Sequence, residues 1–198
     1  MALITLIRHG QASFGAANYD QLSTLGYVQA KHLGTLFAQQ QQQFDQVWMG
    51  AMARHRQTAE SCLEAANFSC NPSVHDGLNE FDHEEVLMKL DTARYPDKHA
   101  LMQAMAATDN PKKTLGKFFG DAMQRWQCGE YDCDYTETWQ QFQTRSINSL
   151  HEIVAQSANQ HSVVFSSQIR SDGGNHSILS INEHNHFRGQ ASDLLTWH

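Results

Sequence analysis

A histidine with an arginine before it and a glycine after it ends an apolar run near the N-terminus. The run Leu3–Ile7 is apolar and β-branched, which is typical of a buried strand. Ligands in open α/β sheets bind beyond the carboxyl ends of the strands, so Arg8 and His9 are expected at the mouth of a binding site. Gly10 would let the backbone turn sharply there. A strand that stops at a charged surface turn is the alternative for this tripeptide taken alone.

A second arginine follows a second predicted strand. Gln46–Met49 has the pattern of a short strand, and the turn after it leads into a helix that is predicted to reach Ala66. Arg54 and Arg56 lie near the start of this helix, where unpaired backbone N–H groups and fixed positive charge both favour an anion. If the strands are parallel, Arg8 lies on the same sheet edge, which predicts an anion site. A pair of solvent-facing arginines is the alternative.

The two stretches together resemble the motifs of the histidine phosphatase superfamily, the phosphoglycerate mutase-like proteins. The first motif of that family, a strand followed by Arg-His-Gly, is matched by Arg8–Gly10. The second motif reads roughly Ser-Pro-Leu-x-Arg-Ala-x-Gln-Thr-Ala. Its Arg-x-x-Gln-Thr-Ala part is matched by Arg54–Ala59, whereas Gly50 and Ala51 stand in place of Ser-Pro. The segment Leu25–Ala30 also resembles the first helix of the family.

The resemblance implies a covalent mechanism on a phosphomonoester. A neutral nitrogen of His9 would attack the phosphorus and form a phosphohistidine, which water then hydrolyses. Arg8 and Arg54 would bind the phosphoryl oxygens and offset the charge that develops on them. Gln11 and Asn18, in the small and polar segment after the first motif, could donate further hydrogen bonds. The partner implied is a small phosphorylated substrate, and neither a metal ion nor another cofactor is required.

The general acid that protonates the leaving alcohol is predicted on the segment after the third strand. The family has a glutamate there, and Glu80 matches the family's Leu-x-Glu position. A carboxyl group buried beside phosphate would have a raised pKa, as a general acid requires. Asp82, His83 and Glu84 are close enough in sequence to be alternatives.

The family pattern breaks after the next predicted strand, His161–Ser167. Most members have a second histidine followed by glycines at this place, and some have Ser-Gly-Gly. Here Ser167 is the positional match and is predicted to bind phosphate, but no glycine pair follows in register. Residues 168–198 show no sustained helical or strand period. One hypothesis is a divergent tail in which Arg170 or His176 replaces the lost contact. The hypothesis we prefer is a frameshift near codon 167, which would leave a sheet edge exposed.

Length and composition predict a single domain over residues 1–198, and the resemblance implies that it is histidine phosphatase-like. The 198 residues, of which 40% are hydrophobic, can bury one core, and no Pro/Gly/Ser-rich linker divides them. The expected fold is a three-layer α/β/α sandwich with a mostly parallel central sheet and an atypical or incomplete C-terminal part. Residues 84–135 are predicted to form a helical lid insertion, and residues 168–198 a divergent tail. The longest helix is expected to pack one apolar face on the sheet, formed by Ile147, Leu150 and Val154.

Charge, hydropathy and cysteine content bear on the expected partners, location and thiol state of the protein. The net charge is −7 and no block of like charges occurs, which argues against nucleic acid as the main partner. The N-terminus lacks a basic stretch followed by a long apolar one, and no apolar run could span a bilayer, so no membrane is expected and a cytoplasmic location is predicted. The 4 cysteines have no disulfide-framework spacing and are expected to be reduced.

Three functional classes follow from these residues. A phosphomonoester hydrolase acting through His9 is the leading one, because the nucleophile and both arginines of the family are present. Phosphoglycerate mutase-type phosphoryl transfer is the alternative within enzymes. A non-catalytic protein that binds a phosphorylated ligand or a partner protein is the third, because the second histidine of the family is missing.

Overall fold

The computed structural model describes residues 2–13 and 20–167, which contain a parallel sheet and helices. In chain order the elements are β1 (Leu3–Arg8), α1 (Thr24–Gln39), β2 (Gln46–Met49), α2 (Ala53–Ala65), β3 (Ser73–Val74), α3 (His83–Met88), α4 (Lys98–Ala106), α5 (Pro111–Gln127), α6 (Trp139–Gln156) and β4 (His161–Ser166). They form two compact units. Of the described residues, the first contains 2–13, 20–79 and 146–167, and the second is Glu80–Arg145.

The strands of the first unit pair in the order β1-β4-β2-β3, and every pairing is parallel. The last strand of the described chain therefore lies between the first two, and Ser162–Ser166 is buried throughout. The prediction that Leu3–Ile7 is a buried strand is wrong for most of the run. Leu3 and Leu6 are 43% and 48% exposed, and Ile7 alone is buried. The reason is that, among the described strands, β1 has a neighbour on one side only.

Helices cover both faces of this sheet, which confirms the predicted α/β/α layering. On one face, Phe37 of α1 and Cys62 of α2 pack in a cluster with Val163 and Phe165 of β4. On the other face, Ile153 of α6 packs with Trp48, Leu78 and Val164. Alternate residues of β4 thus face opposite layers, as the two-residue period of a strand requires.

Helix α6 presents a different face from the one predicted. Its buried residues are Ser146, Ser149 and Ile153, whereas the predicted residues are only half-buried. Those predicted residues are Ile147, Leu150 and Val154. Two serines can be buried here because they are small and because the Ser149 hydroxyl donates to the carbonyl of Ser146 at 2.8 Å. The apolar pattern alone therefore gives the wrong rotation of this helix.

The second unit is helical and has its own apolar clusters. Trp126 of α5 is packed among other aromatic rings, and its indole Nε1 donates to the carbonyl of Glu137 at 2.8 Å. The rings around it belong to Phe81, Tyr135, Trp139 and Phe142. A second cluster joins α4 and α5 around Leu101, which is fully buried. The clustered rings are thus core residues, whereas Phe119 and Tyr131 are exposed. The lid role of residues 84–135 stays a prediction.

Two further properties concern the described part of the chain as a whole. The helices found there are too short or too polar to cross a bilayer. All 4 cysteines are free thiols, with Cys62 buried and the others exposed.

Candidate active site

The Arg-His-Gly segment lies at the end of β1, beside the end of the neighbouring strand β4. The register pairs Arg8 with Ser166, and the amide of His9 donates to the Ser166 carbonyl at 2.9 Å. Gly10 is required by close packing rather than by a sharp turn. A Cβ there would lie 2.5 Å from the carbonyl oxygen of Gly26, and no left-handed φ occurs at this residue. His9 is thereby held at the carboxyl edge of the sheet, where ligands of such sheets bind.

The imidazole of His9 is held in one orientation and one tautomer. Its Nδ1 lies 2.7 Å from the Gly10 carbonyl oxygen, which can only accept, so Nδ1 carries the proton. Its Nε2 accepts from Nε of Arg54 at 3.2 Å. Burial, followed by the charges of Arg54 and Arg8, lowers the pKa of His9 to about 4, although the Gly10 hydrogen bond and Asp20 act in the opposite direction. The ring is therefore neutral at physiological pH, with the lone pair of Nε2 directed at a guanidinium.

Arg54 is fixed by an aspartate that sequence reasoning missed. The side chain of Arg54 is buried, and its Nη1 lies 3.0 Å from Oδ1 of Asp20. The other carboxylate oxygen, Oδ2, accepts from the amide of Ala53 at 2.8 Å. Asp20 thus holds the guanidinium and also caps α2, whose own N-cap residue, Met52, makes no side-chain cap. Asp20 lies 34 residues before Arg54, and no local pattern links the two.

The Gln-Thr-Ala part of the second motif joins α2 to the segments around it. Oε1 of Gln57 accepts from the amide of Leu22 at 2.8 Å. The Thr58 hydroxyl donates to the carbonyl of Arg54 at 2.7 Å and accepts from the amide of Gly10 at 3.1 Å. Ala59 is fully buried in the core. These residues are therefore structural: they hold the first motif against the helix that carries Arg54.

The remaining predicted phosphate ligands have different surroundings. Arg8 is exposed at the end of β1 and close enough to His9 to lower its pKa. Oε1 of Gln11 accepts from the Ser23 hydroxyl at 2.8 Å, next to the start of α1. Ser167 is buried directly after β4. Asn18 lies outside the described residues, as do Arg170 and His176. Phosphate binding by these residues stays a prediction.

A second histidine lies against the first, and sequence reasoning missed it as well. His55 of α2 is fully buried, and its ring centroid lies 5.6 Å from that of His9. Its Nε2 is 2.9 Å from the hydroxyl oxygen of Ser167. Burial, and then the charges of His9 and Arg54, lowers the pKa of His55 to about 3. The available signal was that His55 stands where the family motif has alanine.

The predicted general acid lies at the start of the second unit. The backbone carbonyl of Glu80 accepts from Nη2 of Arg145 at 3.4 Å, and Arg145 also forms an ion pair with Glu137. Two of its alternatives have structural roles. Asp82 caps α3 by accepting from the amides that follow it, and Glu84 forms an ion pair with Lys98 at 2.6 Å. His83 is the first residue of α3.

The carboxyl edge of the parallel sheet carries a neutral, oriented histidine beside two arginines, an arrangement that can bind an anionic group and present an imidazole nitrogen to it. The model of the histidine phosphatase superfamily (branch 1) matches residues 4–172, and the chain belongs to this superfamily.

One curated relative is a mutase. The chain is 31% identical over 109 residues to the 2,3-bisphosphoglycerate-dependent phosphoglycerate mutase of Corynebacterium efficiens, and this alignment covers 52% of the chain and 44% of that protein. The chain thus spans less than half of that relative.

Two solved structures share the fold. Phosphoglycerate mutase from Bacillus anthracis is 15% identical, with a TM-score of 0.53, and the match covers 83% of this chain and 74% of that one. A variant of phosphoserine phosphatase from Entamoeba histolytica, in complex with phosphoserine, is 16% identical, with a TM-score of 0.51 and coverage of 83% and 73%.

Proposed function

We propose that this protein hydrolyses small phosphomonoesters through a phosphohistidine on His9. The observation that carries the proposal is the state of the imidazole. Nδ1 is committed to the Gly10 carbonyl, and burial keeps the ring neutral, so Nε2 has an available lone pair. A neutral, fixed imidazole nitrogen beside guanidinium groups is what in-line attack on a phosphoryl group needs.

In the first step the lone pair of Nε2 attacks the phosphorus while the bond to the ester oxygen breaks. The Nε–H of Arg54, which now marks the direction of this lone pair at 3.2 Å, would then donate to a phosphoryl oxygen. Arg8 supplies a second positive charge on the same edge. Arg54 is paired with the carboxylate of Asp20, and the added charge of Arg8 on the same edge favours a phosphate dianion.

The leaving oxygen takes a proton, and water then attacks the phosphohistidine, which breaks the P–N bond and releases phosphate. We assign the proton transfer to Glu80 because it matches the Leu-x-Glu position of the family. The carboxylate formed in the first step would accept a proton from water in the second. Replacement of Glu80 by Gln should slow esters with poor leaving groups more than aryl phosphates, whose leaving groups need little protonation.

The test is detection of the covalent intermediate. Purified protein is mixed briefly with an aryl phosphate, and its mass is measured while released phosphate is followed in parallel. We expect a phosphate-mass adduct on His9, and neither adduct nor turnover in His9→Ala. His99→Ala, which removes an exposed histidine of α4, is the control and should behave as the wild type. Turnover that survives in a folded His9→Ala protein would overturn the proposal.

Phosphoglycerate mutase-type transfer is the second candidate, because the Corynebacterium efficiens relative is such a mutase. A mutase must keep the phosphoryl group and return it to bound product, whereas a hydrolase loses it to water. The two are separated by supplying 3-phosphoglycerate and following both 2-phosphoglycerate and free phosphate. Isomerisation much faster than phosphate release would replace the hydrolase assignment by the mutase one.

A further inference from the structure

The step described above uses His9 and the arginines but leaves a fully buried histidine unexplained. His55 lies with its ring centroid 5.6 Å from that of His9 and is in contact with Ser167. A buried imidazole costs free energy unless its polar atoms are satisfied, and here only Nε2 has a partner. Its place beside the nucleophile therefore calls for a function.

The surroundings of His55 determine which ring nitrogen carries the proton. Nδ1 is buried and makes no hydrogen bond. It faces Gly50, where a Cβ would lie only 2.2 Å away, so the glycine hydrogen in that direction points at Nδ1. A proton on Nδ1 would point at this C–H hydrogen of Gly50, whereas an unprotonated Nδ1 can accept a weak C–H contact from it. The proton therefore belongs on Nε2, which donates to the hydroxyl oxygen of Ser167.

This tautomer decides the direction of the Ser167 hydroxyl. An oxygen that already accepts from His55 has its own proton left to donate. The position of Ser167 indicates which group can accept a hydrogen bond from that proton. It follows the residue of β4 that pairs with Arg8, and so stands beside His9 on the carboxyl edge.

We propose that His55 is a positioning residue that turns the Ser167 hydroxyl into a hydrogen-bond donor for the phosphoryl group at His9. This inference deepens the proposed function and rests on it. The donor it supplies sits at the strand end where the sequence lacks the second histidine of the family.

Two departures from the second motif fit this assignment together. Gly50 replaces serine and His55 replaces alanine, and the two are sterically coupled, because any side chain at position 50 would collide with the imidazole. The imidazole also needs a small neighbour at the end of β4, and Ser167 provides one. The chain thus has room for a ring from α2 at the strand end.

The test uses a matched pair of substitutions. His55→Gln keeps an N–H donor near the position of Nε2, whereas His55→Met has the same length and no donor. We expect kcat to fall roughly ten- to a hundredfold in His55→Met and in Ser167→Ala, with a smaller change in KM. His55→Gln should stay within about threefold of the wild type, and the double variant His55→Met/Ser167→Ala should be no slower than the slower single one.

Several results would overturn the assignment. An unchanged kcat in Ser167→Ala would overturn it. This variant leaves His55 intact, so the assignment can be tested even if the His55→Met protein does not fold. Equal losses in His55→Gln and His55→Met would indicate a purely structural role. Losses that multiply in the double variant would show that the two residues act independently.

Binding of inorganic phosphate, measured by titration calorimetry, separates this inference from the proposed function. If the wild type forms phosphohistidine and both variants match it in kcat and in phosphate affinity, only the role of His55 is wrong. If the wild type shows no turnover but binds phosphate about tenfold more tightly than Ser167→Ala and His55→Met, the donor assignment stands and the hydrolase proposal fails. Absence of both turnover and phosphate binding would overturn both.

Discussion

The two units bury different kinds of side chain. At the carboxyl edge of its sheet, the first unit buries an arginine, a histidine and a threonine, Arg54, His55 and Thr58. The second unit instead buries a group of aromatic rings around Trp126. Burial of charge and of imidazoles costs free energy, whereas burial of aromatic surface supplies it. At this edge the first unit thus gives up stability to build a site, although apolar clusters cover both faces of its sheet, whereas the aromatic core of the second unit contributes stability.

The largest effect is expected from truncation of the aromatic core. Trp126→Ala should lower the free energy of unfolding by about 3–5 kcal/mol, because it leaves a cavity among the rings and removes the indole hydrogen bond. Phe119→Ala, on the same helix but 36% exposed, is the control and should cost less than about 1 kcal/mol. Urea denaturation would measure both. Equal losses would show that the rings around Trp126 are not the core of this unit.

The next effect tests the guanidinium at the sheet edge. Arg54→Lys keeps the charge, but its N–H donors all lie on one nitrogen, which cannot occupy the places of both Nε beside His9 and Nη1 beside Asp20. We expect kcat to fall by roughly 10²–10³. Arg56→Lys, two residues further along α2 and exposed, should leave kcat unchanged. Aryl phosphate hydrolysis measures both variants. A similar loss in both would place the phosphate contact elsewhere on this helix.

A smaller effect is expected from the aspartate that holds this guanidinium. Asp20→Asn keeps the shape but weakens the ion pair and the cap of α2, and kcat should fall about tenfold. Asp45→Asn is the control, because Asp45 accepts from the His161 amide at the start of β4, at the opposite end of that strand from the site. An unchanged kcat in Asp20→Asn would show that Arg54 holds its place without the carboxylate.

The smallest effect is a pH dependence of stability. The pKa values of His9 and His55 are lowered to about 4 and about 3 in the folded protein, so the unfolded chain binds more protons below its histidine pKa of about 6.5. Stability is therefore full above about pH 6.5 and is lost as the pH falls towards 4. Each histidine should contribute about 1 kcal/mol of this loss between pH 7 and pH 5.5.

Urea titrations at those two pH values measure this effect. His55→Gln removes one of the two contributions and should lower the loss by about 1 kcal/mol. His99→Gln, at an exposed position, should leave the loss unchanged. An equal loss in the wild type and in His55→Gln would mean that folding does not lower the pKa of His55.

Much of the first unit could be predicted because its signals are local. The second strand was predicted with its observed bounds, Gln46–Met49, and the helix after it, predicted to reach Ala66, ends at Ala65. The motif residues His9 and Arg54 lie at adjacent places on one sheet edge, with Nε of Arg54 3.2 Å from Nε2 of His9. Strand and helix periods, caps and short motifs are properties of neighbouring residues, so a single sequence carries them.

Local sequence patterns predicted β2, the helix that follows it and the motif residues Arg8, His9 and Arg54, whose part in a reaction stays a prediction. Only the tertiary structure decided that β4 lies between β1 and β2, that Asp20 holds Arg54, and that His55 meets Ser167. It also decided that α6 turns its serines to the sheet. The physical reason is that these contacts join residues far apart in the chain, where pairing depends on the available space and on the satisfaction of buried polar atoms. A glycine at position 50 makes room for an imidazole only once the fold has brought the two together.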